Sequence, residues 1–172
     1  VPVGYLYCMN NPRTDWLFKT EVEEGLNGRS LDYPRGRVLG GCSSINGMIY
    51  MRGQSRDYDQ WRQLGNTGWG WDDVMPYFLK SEDQAAVPPD DLHAEGGEWR
   101  VENQRLSWDL LDSFQEAAAQ EGIPKTNDFN RGDNHGCGYF HVNQRSGIRW
   151  STAKGFLKPV KGRSNLTVIT HA

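Results

Sequence analysis

The sequence is poor in leucine, isoleucine, valine and phenylalanine, which together make up only 34 of its 172 residues. A share this low, combined with a high net charge, is typical of disordered chains. The formal net charge is only -3, however, and 20 tryptophan, tyrosine and phenylalanine residues supply apolar surface. We therefore expect a folded chain with an aromatic, glycine-rich core, forming one domain or parts of two.

Long apolar runs are also missing: no segment approaches the roughly 20 apolar residues that span a bilayer. No basic-then-apolar leader is visible, so we expect neither a transmembrane segment nor a signal peptide. The net charge of -3 argues against a general nucleic-acid binder, which needs a basic surface. Residues 144–172 are locally basic and contain no acid, and a solvated basic face is favoured there over a polyanion site.

Cysteine and histidine are too few and too scattered for a typical metal site or disulfide framework. The three cysteines are odd in number and form no Cys-x-x-Cys motif, and no two of the four histidines are close in sequence. Unpaired thiols fit a reducing compartment. The chain begins without methionine, so we expect a processed chain or a piece of a longer one.

Residue patterns predict a mixture of helices and strands. The Asn27-Gly28 pair is a strong turn signal. Helices are predicted over 54–64, 72–82 and 107–121, and strands over 14–20, 29–38, 98–102, 139–143 and 165–170. Because these elements follow no regular βαβ rhythm, we expect an α+β fold, or the irregular portion of a larger α/β protein.

Two helices carry more specific expectations. Asp72 or Asp73 is expected to cap the second helix, which would place Pro76 in its first turn. The third helix is expected to bury one apolar stripe: Leu110, Leu111, Phe114, Ala117 and Ala118.

The most informative segment is the glycine-rich run over residues 35–50. Its adjacent Gly40 and Gly41 allow positive φ angles and close backbone approach, and small hydroxyl residues follow. Cys42 stands where a phosphate-binding P-loop needs lysine, and no Gly-x-Gly-x-x-Gly motif is present. Two interpretations stay open from these residues: a backbone-lined loop for a phosphate or flat polar cofactor, or a tight turn that packs a helix on a sheet.

The same run resembles a known family. Residues 36–53, followed by Asp-Tyr-Asp-Gln-Trp at 57–61, are similar to the first signature of the glucose–methanol–choline (GMC) oxidoreductases. The resemblance covers nearly the whole chain and is closest to bacterial choline-dehydrogenase-like and alcohol-dehydrogenase-like members. Further segments match in family order: 68–83, 138–140, 149–153 and 165–168.

The resemblance implies part of an FAD-dependent alcohol dehydrogenase or oxidase that acts on CH–OH donors, choline-like or other primary alcohols, by hydride transfer to flavin. Ile45 stands where some members bond the flavin covalently through histidine, so FAD is expected to bind non-covalently. Cys42 replaces a usual serine or glycine and is expected to pack rather than react. The implied cofactor contacts are Val38, Gly40, Gly41, Cys42, Asn46, Gly47, Met48 and Ile49.

Other family features have no counterpart here: the Gly-x-Gly-x-x-Gly unit, the second signature and the catalytic histidine region. All four histidines are therefore expected to be structural or solvent-exposed, and no catalytic residue is assigned. We expect an internal fragment, inactive alone, whose partners are an alcohol substrate and the rest of the same polypeptide. The bacterial resemblance implies a cytoplasmic location, with membrane association open for the parent protein.

The resemblance also implies a division into three segments. Residues 1–53 would form a flavin-contacting hairpin and the glycine loop, 54–137 a helical or lid region, and 138–172 the return to the FAD-binding domain. Five aromatic residues in the middle segment either line an apolar channel or form core, with core favoured: Trp61, Trp69, Trp71, Tyr77 and Phe78. The alternatives are a parent lyase or decarboxylase on the same fold, or a non-enzymatic interaction module.

Overall fold

The computed structural model describes residues 2–171, which form two compact units. Unit 1 comprises residues up to 48 and from 148 onward, and unit 2 comprises residues 49–147. Helices and short strands are mixed, which confirms the α+β prediction. The α-helices and strands are α1 (Ser55–Gln63), α2 (Trp71–Ser81), α3 (Asp109–Gln120), α4 (Lys158–Val160), β1 (Glu82–Gln84), β2 (Trp99–Asn103), β3 (His141–Val142), β4 (Gln144–Arg145) and β5 (Ile148–Arg149).

Unit 1 begins with a 3₁₀ helix, Pro2–Tyr7, and continues into two extended arms around a turn. Asn27 and Gly28 adopt left-handed φ angles of 58° and 70°, as the turn signal predicts. The two predicted strands of the arms do not form regular ladders, since Pro34 lacks a backbone donor and interrupts the second arm. Isolated antiparallel bridges join them instead: Asp15 with Gly36, Lys19 with Asp32, and Glu23 with Arg29.

A buried carboxylate organises the start of these arms. Asp15 is 1% exposed, and its oxygens accept backbone N–H groups of Asn10, Leu17 and Arg35 at 2.8, 3.1 and 3.0 Å. These donors come from both arms, so one side chain sets their spacing just before the glycine-rich run.

The C-terminal part of unit 1 is helical only over residues 152–160. A π-helical turn, Ala153–Leu157, runs directly into α4. The strand predicted over 165–170 is not formed, because no residue of that range is paired in the described part of the chain.

In unit 2, α1 and α2 pack through an aromatic cluster centred on Tyr58. The Tyr58 ring lies 5.4 Å from Trp61, 5.8 Å from Trp71 and 5.8 Å from Phe78, between ring centroids. Aromatic pairs at such distances add to the free energy of burial. The helix predicted over 54–64 is thus confirmed, with bounds one residue shorter at each end.

The start of α2 differs from the sequence expectation. The N-cap is Gly70, whose N–H donates to the Asp73 carboxylate at 2.9 Å, so neither Asp72 nor Asp73 is the cap. Because the helix begins at Trp71, Pro76 lies in its second turn rather than its first, where it removes one intrahelical hydrogen bond.

The predicted apolar stripe of α3 is exposed rather than buried. Leu110, Leu111 and Phe114 are 76%, 41% and 65% exposed, and among the described residues of this helix only Ala118 is buried. The helical period itself is correct, but no described element of unit 2 lies over that face.

The sheet of unit 2 has the order β1–β2–β3. Strand β1 runs parallel to β2 with Glu82 opposite Trp99, and β3 runs antiparallel to β2 with His141 opposite Asn103. Polar Glu-Asp-Gln has no strand signature, so β1 was not predictable from local pattern. Val101 at the centre of β2 is fully buried.

Strand β1 contributes Glu82 to a buried charged cluster of four side chains: Arg52, Glu82, His93 and Asp128. Glu82 contacts Arg52 Nη2 at 2.9 Å and His93 Nδ1 at 3.2 Å, and it accepts the Ala94 N–H at 2.9 Å. His93 Nε2 contacts Asp128 at 2.9 Å. His93 and Glu82 are 1% and 0% exposed, so water screens these contacts little.

The two carboxylates keep His93 charged. Burial opposes the charged ring, but the hydrogen bonds to Asp128 and Glu82 outweigh burial and raise the pKa of His93 to about 9. Burial also opposes ionisation of Asp128, yet the His93 hydrogen bond lowers the pKa of Asp128 to about 2. With a proton on each ring nitrogen, His93 joins β1 to the segment around Asp128.

Among residues 2–171, no helix is long and apolar enough to cross a lipid bilayer. Within the same range no group of three or more His, Cys, Asp or Glu side chains is arranged to hold a metal ion. Cys8, Cys42 and Cys137 are free thiols.

We expect the free energy of unfolding to fall at high pH. The pKa of His93 is raised from 6.5 to about 9, so its contribution is complete below pH 6.5 and is lost as the pH rises through about 9. The Asp128 contribution, in turn, is lost as the pH falls from 3.8 toward about 2. Urea unfolding across this pH range measures both losses.

Replacement of His93→Gln leaves two buried carboxylates without their shared cation, so we expect a loss of about 3–5 kcal/mol at neutral pH. The matched control is His135→Gln at an exposed histidine. If both variants unfold alike, and the slope between pH 6.5 and 9 persists in His93→Gln, the assigned role of His93 is wrong.

Candidate functional site

The glycine-rich run folds into a loop that we call the glycine loop, residues 36–48 of unit 1. Gly40 and Gly41 have left-handed φ angles of 88° and 52°, and a 3₁₀ helix follows over Gly41–Ser44. Two consecutive residues in this region favour glycine, because a Cβ atom would crowd the backbone.

The glycines divide into two groups by their surroundings. A Cβ on Gly36 would lie 2.2 Å from the Gly41 carbonyl oxygen, and one on Gly40 would lie 2.6 Å from Ser44 Oγ and 3.2 Å from Ala153 Cβ. By contrast, nothing lies within 4 Å of a Cβ on Gly41 or Gly47. The first pair permits close packing inside unit 1, whereas the second pair leaves the outer side of the loop open.

Residues 149–153 hold the inner side of this loop. Thr152 donates its N–H to Ser43 Oγ at 2.9 Å and its hydroxyl to the Gly40 carbonyl at 3.2 Å. Ser43 Oγ donates to the same carbonyl at 2.5 Å. The turn at Gly40 is therefore anchored by hydroxyl groups from two distant parts of the sequence.

Arg149 makes further long-range contacts to the loop. Its side chain is buried, and Nη1 donates to the Ser43 carbonyl at 3.1 Å and to Asn46 Oδ1 at 2.9 Å, while Nη2 reaches the Pro2 carbonyl at 3.4 Å. Burial lowers the pKa of the Arg149 guanidinium. Uncharged oxygens satisfy its donors in place of a carboxylate.

Asn46 connects Arg149 to the backbone of Met48. Its Oδ1 also accepts the Met48 N–H at 3.0 Å. Met48 is 6% exposed and has a φ of 67°, a conformation that costs a non-glycine residue about 1–3 kcal/mol. The surrounding hydrogen bonds hold this strained residue in place, and strained backbone of this kind is concentrated at functional sites.

The outer side of the glycine loop presents hydrogen-bond donors. Among residues 2–171, no acceptor is found for the backbone N–H of Cys42 or Gly47, nor for the Asn46 side-chain NH₂. Cys42, Asn46 and Gly47 are all exposed. A glycine-lined surface with outward donors suits a ligand that carries phosphate or carbonyl oxygens.

The structure brings seven of the eight sequence-predicted contacts onto this one loop. Ile49 is the first residue of unit 2, where it is 51% exposed and bridged to Val142. Of the others, Met48 is buried and the rest are exposed or half-buried: Val38, Gly40, Gly41, Cys42, Asn46 and Gly47. Their role as cofactor contacts stays a prediction, as does the division into three segments.

Sequence reasoning missed the residues that support the loop. Arg149 and Thr152 lie in the Arg-Trp-Ser-Thr-Ala segment, for which the sequence pattern indicates no contact with the loop. Their signal was an arginine and a hydroxyl residue directly before a helical stretch, but nothing local pairs them with Ser43 or Asn46.

Unit 2 contains an open aromatic groove of about 610 Å³ on α2 and the residues just before it. Trp69 and Tyr77 in its lining are 56% and 72% exposed, and nearby Trp61 is 47% exposed. For these three residues the core interpretation is wrong within the described chain. The remaining lining includes Tyr58, Val74 and Phe78.

The chain is similar in sequence to known proteins. Residues 4–172 match the sequence profile of the family described as GMC oxidoreductase. The chain is 38% identical over 172 residues to an alcohol dehydrogenase [acceptor] of Pseudomonas putida, covering 100% of this chain and 31% of that protein. It is 41% identical to an oxygen-dependent choline dehydrogenase of Photobacterium profundum, covering 98% and 30%.

Solved structures give the same result. Pyridoxine 4-oxidase from Mesorbium loti superposes with a TM-score of 0.90 at 33% identity, covering 98% of this chain and 33% of that one. A formate oxidase superposes with a TM-score of 0.79 at 26% identity, covering 98% and 30%. The chain thus spans about a third of the length of the relatives it matches, and by its sequence and its fold it belongs to the GMC oxidoreductase family.

Proposed function

We propose that this chain forms the flavin-facing part of an FAD-dependent oxidoreductase that oxidises the CH–OH group of an alcohol. The observation that carries the proposal is the glycine loop, with a tightly anchored inner side and an open outer side that presents donors. The names of its relatives, choline dehydrogenase, alcohol dehydrogenase [acceptor] and pyridoxine 4-oxidase, support alcohol oxidation.

The residues present fit FAD. The cofactor carries phosphate and ring carbonyl oxygens, which accept hydrogen bonds, and the loop offers the N–H groups of Cys42 and Gly47 and the Asn46 amide. The open sides of Gly41 and Gly47 allow a flat ring to approach the backbone. When bound, FAD supplies the hydride acceptor, which no protein side chain provides.

Ile45 supports non-covalent binding. Its side chain is aliphatic and 4% exposed, so it faces into unit 1 and offers no nucleophile to a flavin. Cys42 is a free, exposed thiol on the same turn, and we assign it a packing role beside the cofactor.

We assign no catalytic base within this chain. Both ring nitrogens of His93 are engaged by carboxylates, so it is a charged structural residue. His141 is 4% exposed, and burial lowers the pKa of its ring. The proposal therefore places the base for the substrate hydroxyl on the rest of the same polypeptide, which is also the expected partner of this chain.

We also propose the aromatic groove of unit 2 as a binding surface for an alcohol. Its wall combines the apolar faces of Trp69, Tyr77 and Phe78 with the Asp73 carboxylate. A mainly apolar surface with a few polar groups is typical of sites for small organic ligands, in which the polar groups fix the orientation of the ligand.

Glycine substitution tests the open side of the glycine loop. Gly41→Ala places a methyl group where FAD would lie, so we expect FAD affinity in the intact polypeptide to fall by roughly tenfold or more. The positive φ of 52° adds about 1 kcal/mol of destabilisation. Fluorescence titration of the cofactor-free protein with FAD gives the affinity.

The matched control is Gly122→Ala, which has a positive φ of 84° and open surroundings but ends α3 in unit 2. It should lose similar stability and keep its FAD affinity. Equal effects of the two substitutions on FAD affinity would show that Gly41 acts through folding alone.

The linkage of the cofactor is a separate prediction. Because Ile45 cannot bond the flavin, acid denaturation and filtration should release all flavin into the filtrate. Flavin retained with the precipitated polypeptide would contradict non-covalent binding. The redox function itself is tested by adding a primary alcohol without oxygen, which should bleach the visible flavin absorbance; a parent lyase would leave the absorbance unchanged.

A further inference from the structure

The orientation of the Asn46 amide is determined by two donors. Arg149 Nη1 lies 2.9 Å and the Met48 backbone N lies 3.0 Å from the atom placed as Oδ1. Both groups carry hydrogen and can only donate, so the atom between them must be the amide oxygen. A flipped amide would set an NH₂ group against two N–H groups, which repel it.

The burial of Arg149 makes this orientation costly to change. Arg149 is 9% exposed, and the other contacts of its guanidinium are backbone carbonyls that cannot rearrange independently. If Asn46 turned its oxygen outward, Arg149 would lose an acceptor in a place where water reaches it poorly. The buried arginine and the strained Met48 amide therefore select the same amide orientation.

This orientation determines where the NH₂ group of Asn46 points. With Oδ1 held inward, the NH₂ group of the exposed Asn46 points away from its two partners, and no described residue accepts from it. It lies beside Gly47, whose outer side is open. The loop therefore offers a donor rather than an acceptor at this position.

We propose that Arg149 is a positioning residue that orients Asn46 so that its amide NH₂ donates a hydrogen bond to the bound FAD. The inference rests on the proposed function and specifies the direction of one hydrogen bond: Asn46 donates it and the cofactor accepts it. A fixed donor stabilises negative charge that develops on a bound group, so this pair favours the reduced cofactor over the oxidised one. Arg149 acts only through Asn46 and touches no reacting atom.

The first test removes the buried donors. Arg149→Met keeps the aliphatic bulk but loses both hydrogen bonds to the loop, whereas Arg149→Lys retains a cation that reaches one acceptor. We expect hydrogen–deuterium exchange at Met48, in the cofactor-free protein, to accelerate roughly tenfold in Arg149→Met and less in Arg149→Lys. FAD affinity should fall in the same order. Arg163→Met, at an exposed arginine of unit 1, is the control and should change neither.

The second test separates the donor from the anchor. Asn46→Asp retains an oxygen for Arg149 and for the Met48 N–H but replaces the outward NH₂ with a carboxylate oxygen. Exchange at Met48 should stay slow, while the reduced-to-oxidised ratio of the bound flavin should fall about tenfold, a potential shift of about -30 mV for a two-electron couple. Asn165→Asp adds the same charge at an exposed site and should leave the potential unchanged.

Two results would overturn the inference: unchanged Met48 exchange in a folded Arg149→Met, or an unchanged flavin potential in Asn46→Asp. If Arg149→Met does not fold, the lysine variant and Asn46→Asp still decide the question. Failure of the proposed function would give a different result. The unsubstituted protein would then bind no FAD, while hydrogen–deuterium exchange at Met48 would still depend on Arg149.

Discussion

The hydrogen bonds of one buried guanidinium hold unit 1 together. Arg149 reaches the Pro2 carbonyl near the start of the chain, the Ser43 carbonyl in the 3₁₀ turn, and the Asn46 amide. Because its planar group presents donors in fixed directions, all three acceptors must keep a common arrangement. The strained backbone of Met48 and the open outer side of the glycine loop both depend on this arrangement.

Unit 2, which buries few aliphatic side chains, also depends on buried charged groups. Val101 is fully buried in its sheet, and the charged side chains of Glu82, His93 and Arg52 are buried in the same unit. Charges removed from water stabilise a fold only when each has a partner, and here every carboxylate faces a cation. These contacts require fixed distances between the charged groups. Because Glu82 lies on β1, they also fix the register of that strand in a small, polar sheet.

Much of the local structure was predictable from sequence. The sequence predicts helices α1 to α3 and strand β2 from the spacing of apolar residues, and the Asn27-Gly28 turn from residues that favour turns. Both signals act over a few neighbouring positions of the chain. The exposure of the Leu110 and Phe114 stripe was not predictable, since periodicity reveals an apolar face but not whether another element covers it. Likewise, β1 forms because Glu82 lies opposite Trp99, a pairing that no local pattern of Glu-Asp-Gln encodes.

For the candidate site, the sequence by itself determined the glycine loop and its family, because paired glycines and small residues leave a short-range signature in backbone freedom. Tertiary structure alone decided which atoms of the loop face outward. Arg149 is 103 residues away from Asn46 along the chain, so only folding brings the donor that turns the amide oxygen inward. Whether the loop presents a hydrogen-bond donor or an acceptor at Asn46 is therefore decided by the fold, because Arg149 is not a neighbour in the sequence.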